Sequence, residues 1–240
     1  MPVQANFQYH LMNKCVVISG ASRGIGLAMV DQLAKRSGYT VYALSRNIEA
    51  LTARYREHPN VHVVPFDLTI AIEAQLKPII DKTTQIDVLI NNAGHLEKGD
   101  FCDLSMDVYQ RSLAVNFLGP VALTQYLFPK LKVGKAHVVN ISTMGAYQGS
   151  VKFPGLTAYA SAKAALTNFT EVFAEEQKSS GVRMNCLCLG AVNTDMLRTA
   201  FPGYEASTSA EEMASFILHF TLESGLMFNG KVLPVSNSTP

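Results

Sequence analysis

The chain is poor in charge, in cysteine and in long apolar runs, and each shortage removes a class of function. Charged residues make up 16% of the 240, and the formal net charge is +1. A near-neutral surface has no field to hold a polyanion, so neither nucleic acid nor an anionic membrane is an expected partner. No apolar run reaches the roughly 20 residues needed to cross a bilayer. Residues 1–13 lack a basic stretch followed by an apolar core, so they read as an N-terminal extension and not as a signal peptide. The cysteines are Cys15, Cys102, Cys186 and Cys188, with no Cys-x-x-Cys pair. They read as buried free thiols in a reducing compartment, the cytoplasm, with no metal or disulfide expected. Cys186 and Cys188 alternate within an apolar run and so face one side of a strand. Repeats, low-complexity tracts and linkers are also missing, so residues 14–240 are expected to form one domain.

What is present is a 48% hydrophobic chain, long enough to bury a core without cross-links. Short apolar, β-branched runs fall at 14–19, 40–44, 61–65, 87–91, 136–141, 182–189 and 231–235, and each reads as a buried strand. Helical stretches separate them. Residues 69–84 read as a helix that Pro78 kinks or breaks. Residues 105–131 read as a long, mostly helical stretch, and 210–222 has helical spacing. Residues 197–209 show no clear period and read as a mobile lid or a surface loop. Strands alternating with helices predict an α/β fold, a doubly wound parallel sheet of about seven strands with helices on both faces, three layers in all. Ligands of such sheets bind beyond the carboxyl ends of the strands.

Several chemistry-bearing residues fall at that edge. After the first strand come Gly20, Ala21, Ser22, Arg23, Gly24, Ile25 and Gly26, then a helical pattern. Strand, glycine turn and helix together aim backbone N–H groups and a helix N-terminus at a phosphate, and side chains there would block a pyrophosphate. The second strand ends in Ser45-Arg46, where an NAD site often carries an acid. Arg46 and Arg23 offer cations to a 2′-phosphate, so NADP(H) is expected over NAD(H). Asp67 and Leu68 end the third strand, and Asn92, Ala93 and Gly94 follow the fourth. Asn116 lies among apolar neighbours, where a buried amide must be hydrogen-bonded. Ser142 and Thr143 place hydroxyls at the end of the fifth strand. Tyr159 and Lys163 are one helical turn apart, so an ammonium can sit near a phenol and favour its ionised form.

In order, Ser19-Gly-Ala-Ser-Arg-Gly-Ile-Gly26, Asn91-Asn-Ala-Gly94, Asn116 and Tyr159-x-x-x-Lys163 resemble the short-chain dehydrogenase/reductase family over nearly all of residues 14–236. The resemblance implies a Rossmann-type oxidoreductase acting on a small carbonyl or alcohol substrate, as a homodimer or homotetramer. It implies that Tyr159 is the general acid/base, that Lys163 lowers its pKa and holds the nicotinamide ribose, and that Asn116 anchors a water behind Lys163. Asp67 and Leu68 would meet the adenine, and Asn92 with Gly94 would pass beside the cofactor. Gly190, Val192 and Thr194 would lie near the nicotinamide, with Thr194 on its carboxamide. The catalytic hydroxyl is Ser142, with Thr143 kept open, because the loop before Tyr159 is longer than is usual. Leu189-Gly190 stands where the family has Pro-Gly, and the terminal Gly-Gly is missing. A non-catalytic NADP(H)-binding regulator or an assembly protein on the same fold is the rival reading.

Overall fold

The computed structural model describes residues 13–236, so the extension expected at 1–13 lies almost wholly outside the described residues. Seven strands form one sheet in the order β3-β2-β1-β4-β5-β6-β7, every pair parallel. They are β1 (Lys14–Ser19), β2 (Tyr39–Ser45), β3 (Val61–Pro65), β4 (Val88–Asn91), β5 (His137–Thr143), β6 (Arg183–Leu189) and β7 (Val232–Val235). The central strands are buried on both faces, which is why they appear in the sequence as continuous apolar runs.

The helices are α1 (Gly24–Ala34), α2 (Glu49–Arg54), α3 (Ile72–Lys82), α4 (Met106–Leu113), α5 (Gly119–Gly134), α6 (Thr157–Glu176), α7 (Asp195–Ala200) and α8 (Ala210–Glu223). One core lies between the sheet and α1, α2 and α8, and holds Met29, Leu33, Leu51, Ile217 and Leu218. The other lies under α3, α5 and α6, and holds Leu76, Ile79, Leu123, Leu127 and Leu131. This is the three-layer, doubly wound arrangement expected from the sequence.

Two local expectations are corrected. Pro78 does not break its helix: α3 runs through it from Ile72 to Lys82. Pro78 and Ala74, whose carbonyl loses its donor, are both exposed, so the freed group is open to solvent. Pro129 sits the same way in α5, four residues after exposed Gln125. The stretch 105–131 is mostly helical, as expected, with a single π turn at Ala114–Leu118 between α4 and α5. The aperiodic segment 197–209 is partly helical. Thr194 caps α7 by accepting the Leu197 N–H at 3.4 Å, and Ser209 opens α8 with a reciprocal bond to Glu212. Of the cysteines, Cys15, Cys186 and Cys188 are buried and free, whereas Cys102 is exposed. Among the described residues no helix is long and apolar enough to cross a membrane.

Candidate active site

The parallel register brings the carboxyl ends of the strands to one edge. Ser19 pairs with Leu44, Asn91 with Asn140, and Thr143 with Leu189. Strand order reverses between β1 and β4, so a crevice opens between their exits.

The glycine turn fills one wall of that crevice. Gly20 has φ +70°, and a Cβ on it would stand 2.7 Å from the Ala93 Cα. A Cβ on Gly26 would come within 2.1 Å of the Gly20 carbonyl oxygen and 2.6 Å of Asn92 Nδ2. The two strand exits are therefore in backbone contact. Asn92 Nδ2 donates to the carbonyls of Ser19 and Gly20 at 3.0 and 3.2 Å. The Ser19 hydroxyl accepts the N–H groups of Asn92 and Ala93 at 3.1 and 3.2 Å. Ser19 was not singled out as a site residue, since a serine closing a strand carries no distinctive signal. Helix α1 begins after Arg23 with no side chain capping its first turn. Its amides thus point from a helix N-terminus with open hydrogen-bonding capacity, a setting that fits a pyrophosphate.

The rim beyond β2 and β3 carries the charges. Ser45 is buried, and its hydroxyl donates to the Asn47 carbonyl at 3.3 Å. Arg46 and Arg23 are exposed and form no ion pair among the described residues. Asp67 accepts the Thr69 N–H and hydroxyl at 2.8 and 2.7 Å, which, with the Arg46 charge, holds its carboxyl below the usual range. Gln75 fixes the Asp67 backbone from both sides. Leu68 packs on the π-turn exit, where a Cβ on Gly119 would meet it at 2.8 Å.

The opposite wall holds the Tyr159 constellation. Tyr159 and Lys163 lie in the first two turns of α6 and are almost wholly buried, 8% and 3% exposed. Lys163 Nζ donates to the Ile141 carbonyl at 2.8 Å and lies 3.7 Å from where a Cβ on Gly94 would stand. The same position is 3.3 Å from Asn116 Oδ1 and 3.8 Å from Met196 Cε. Asn116 is fully buried in the π turn. Its Nδ2 donates to the His95 carbonyl at 2.8 Å and to Ser112, and its Oδ1 accepts the His95 N–H at 3.0 Å. Below this layer a polar chain ties α5 to α6 through the sheet. Asn91 Nδ2 donates to Thr124 Oγ1 (3.3 Å) and Asn140 Oδ1 (2.8 Å), and Asn140 Nδ2 donates to Thr170 Oγ1 (2.9 Å).

Burial dominates the protonation of both groups. It pushes the Tyr159 phenol up to about 12, with the nearby Cys188 adding to the rise, and it lowers Lys163 to about 8. The phenol is raised, where the sequence led to the expectation that the lysine would lower it.

The neighbouring hydroxyls differ in environment. Ser142 is buried, and its hydroxyl donates to the Lys163 carbonyl at 3.3 Å. Thr143 is half-buried, and its Oγ1 accepts the Gly145 N–H at 3.3 Å. On the far side, Thr194 Cγ2 reaches within 3.3 Å of the Cβ position on Gly24, so the β6 exit touches the glycine turn. Gly190 faces Ser236, and Val192 is buried in the core beneath α1 and α8. The structure thus brings together the residues around Gly20–Gly26, Asn92–Gly94, Asn116, Lys163 and Thr194, with Leu68 and Val192 engaged in packing.

The comparisons bear on the fold and the family. An oxidoreductase of Botryotinia fuckeliana is 33% identical over 189 residues, which cover 77% of this chain and 68% of that protein. A dehydrogenase/reductase, SDR family member 7B, of Rattus norvegicus is 32% identical over 200 residues, 78% of this chain and 60% of its own length. Among solved structures, an NADPH-bound carbonyl reductase from chicken fatty liver superposes with a TM-score of 0.85 at 24% identity, covering 95% of this chain and 98% of that one. A 4-hydroxyisoleucine dehydrogenase complexed with NADH gives 0.84 at 24% identity, covering 94% and 98%. The family model for short chain dehydrogenases matches residues 14–205, and with that match spanning most of its length the chain belongs to the short-chain dehydrogenase family.

Proposed function

We propose that the protein is an NADP(H)-dependent oxidoreductase that interconverts a carbonyl and an alcohol. The observation that carries the reading is the placement of the Lys163 ammonium 3.7 Å from the Cβ position of Gly94, on the same edge as the uncapped α1 N-terminus. A phosphate-accepting turn and a buried acid/base pair thus share one crevice. The nicotinamide, when bound, supplies or accepts the hydride. The glycine turn and α1 would hold the pyrophosphate, and Lys163 would hold the adjoining ribose. Arg46 and Arg23 would meet a 2′-phosphate; no carboxylate ends β2, and that of Asp67 is occupied by Thr69. This favours NADP(H), although the structural neighbours include both an NADPH and an NADH complex.

Tyr159 stays protonated at neutral pH and so is set to donate a proton to a carbonyl oxygen, which favours reduction. Thr143 is the better-placed hydroxyl to polarise that oxygen. It is half-buried with its own O–H free to donate, whereas the Ser142 proton is directed at the Lys163 backbone. Asn116 would anchor its water through its backbone, because both ends of its amide are engaged by His95 and Ser112. The family resemblance and the exposed Leu113, Leu118 and Val172 on α4–α6 support a homo-oligomer across that face, which sedimentation would test. The free, buried thiols of Cys15, Cys186 and Cys188 favour a reducing site of action, the cytoplasm.

The test is a fluorescence titration with NADPH and NADH, followed by aldehyde reduction, on wild type, Arg46→Ala and Tyr159→Phe. Wild type should bind NADPH the more tightly, Arg46→Ala should lose that preference, and Tyr159→Phe should bind normally while losing about 10²-fold or more in turnover. Full turnover in Tyr159→Phe would remove the tyrosine from its role. Absence of nucleotide binding in folded protein would sink the whole reading.

A further inference from the structure

A cavity of about 520 Å³ opens between the segments that follow β4, β5 and β6, beyond the carboxyl edge of the sheet. It is lined by Lys98, Asp100, Phe153, Pro154, Gly155 and Phe201, together with Gly99. The wall is built, and it continues into the catalytic helix. The Gly99 N–H bonds the Gly155 carbonyl at 3.1 Å, and the Leu156 carbonyl next to it accepts the Ala160 N–H at 2.8 Å, in the α6 turn that bears Tyr159. Phe153 and Phe201 meet edge to face, with ring centroids 6.5 Å apart.

Lys98, itself exposed, lies along this wall. Its stem lies over Gly155, where a Cβ would meet Lys98 Cγ at 3.1 Å and Cε at 3.4 Å. Gly155 has φ +83°, so glycine suits that position on both counts. The ammonium then sits 4.2 Å from the centre of the Phe201 ring. Among the described residues Lys98 forms no ion pair, although Glu97 and Asp100 flank it. Glu97 lies toward His95 instead, at 3.6 Å, and Lys152, next to Phe153 in the chain, is spent on the Tyr147 carbonyl and the Ser150 hydroxyl. Ordering a lysine over an aromatic ring without an acidic partner leaves its N–H donors for a ligand.

We propose that Lys98 selects carbonyl substrates with an apolar or aromatic body and a carboxylate at the end remote from the carbonyl. The body would lie on Phe153 and Phe201, and the carboxylate would reach the Lys98 ammonium. A single cation beside the Asp100 carboxylate suits a monoanion better than a phosphate dianion, which needs more donors. The inference rests on the proposed carbonyl chemistry and adds the substrate class to it.

The experiment is a series of aldehydes, 4-formylbenzoate and straight-chain ω-oxo acids of four to ten carbons. Each is paired with its neutral methyl ester and assayed with NADPH and with NADH. The readout is the acid-to-ester ratio of kcat/KM in wild type, Lys98→Glu and Asp100→Asn. Wild type should prefer the acid at one or more lengths. The ratio should fall about tenfold in Lys98→Glu and rise in Asp100→Asn, as expected for a partly exposed charge contact that is reversed or relieved. An unchanged ratio in Lys98→Glu, with esters and acids both reduced, overturns the carboxylate assignment and leaves the oxidoreductase reading standing. If no aldehyde is reduced with either nucleotide, both fail together.

Discussion

The side-chain amide of Asn116 bonds both backbone groups of His95, accepting from its N–H at 3.0 Å and donating to its carbonyl at 2.8 Å. It does for the loop after β4 what a neighbouring strand would do for a strand. Gly94, one residue earlier, is thereby held where the Lys163 ammonium comes close. A π turn aims Asn116 inward, and such turns are frequent at functional sites. Asn116→Leu keeps the volume but leaves the His95 groups unpaired. At about 1–3 kcal/mol for each of the two unsatisfied groups, the loss of stability should be about 2–6 kcal/mol. Denaturant unfolding measures it, and turnover should fall further than the folded fraction does. A variant with unchanged stability would mean that the loop finds other partners.

The Lys163 shift sets a pH profile for reduction. Burial lowers its pKa to about 8, so the ammonium is nearly complete below about pH 7, half present near pH 8 and largely lost above about pH 9. Tyr159, raised to about 12, keeps its proton through that range. If the lysine cation is needed, kcat/KM for carbonyl reduction should be level through neutral pH and decline with an apparent pKa near 8. A profile flat to pH 9.5 would show that the charge on Lys163 does not matter in the step.

Much of this was legible in the sequence, for definite reasons. Strands buried on both faces appear as unbroken runs such as Cys15-Val-Val-Ile18, and all seven lie within a residue or two of their expected bounds. The glycine turn was readable because close backbone approach admits only glycine, as the 2.1 Å contact expected at Gly26 illustrates. The π turn was not, because one extra residue shifts the helical period without interrupting the apolar pattern around Val115 and Phe117. Helix α7 has only six residues, too few for a period to register. Lys98 carried no signal at all. Its place depends on Gly155 and Phe201, which are distant in sequence and meet only through the crossing of three loops.

The hydroxyls at the end of β5 were ambiguous by alignment and are separable by geometry. Ser142 faces inward toward Cys186 and Cys188 and bonds the Lys163 carbonyl, so Ser142→Ala should cost about 1 kcal/mol of stability and little turnover. Thr143→Val removes the half-exposed hydroxyl and should lower kcat by about 10²-fold with nucleotide binding retained, the scale of losing one polarising donor. Steady-state kinetics on both variants decide the point. A large kcat loss in Ser142→Ala with Thr143→Val active would restore Ser142 to the role.

Away from the crevice, His137 makes the fold sensitive to acid. It is 2% exposed; its Nδ1 bonds the Thr221 carbonyl at 2.9 Å, and its Nε2 meets Asn185 Nδ2 at 2.8 Å. A carbonyl accepts only, so Nδ1 carries the proton, and Nε2 accepts from the Asn185 amide. Protonating Nε2 would set two donors against each other. Burial, with the Arg183 charge adding to it, lowers the pKa from 6.5 to about 4, while the Thr221 bond opposes the shift. The unfolded chain therefore binds the proton first as pH falls. Stability from this group is whole above about pH 6.5 and drains away as pH drops toward 4, by about 3 kcal/mol at 1.4 kcal/mol per unit. Carboxylates such as Asp31 and Asp67, held below their usual range, add to the loss only at lower pH. Urea unfolding of wild type and His137→Leu at pH 7.0, 5.5 and 4.5 separates the two sources. The variant should start less stable, with Asn185 losing its bond to the imidazole while keeping those to Phe228 and Lys231, and should lose less between pH 7.0 and 4.5 than wild type. Parallel losses in both proteins would place the acid sensitivity elsewhere.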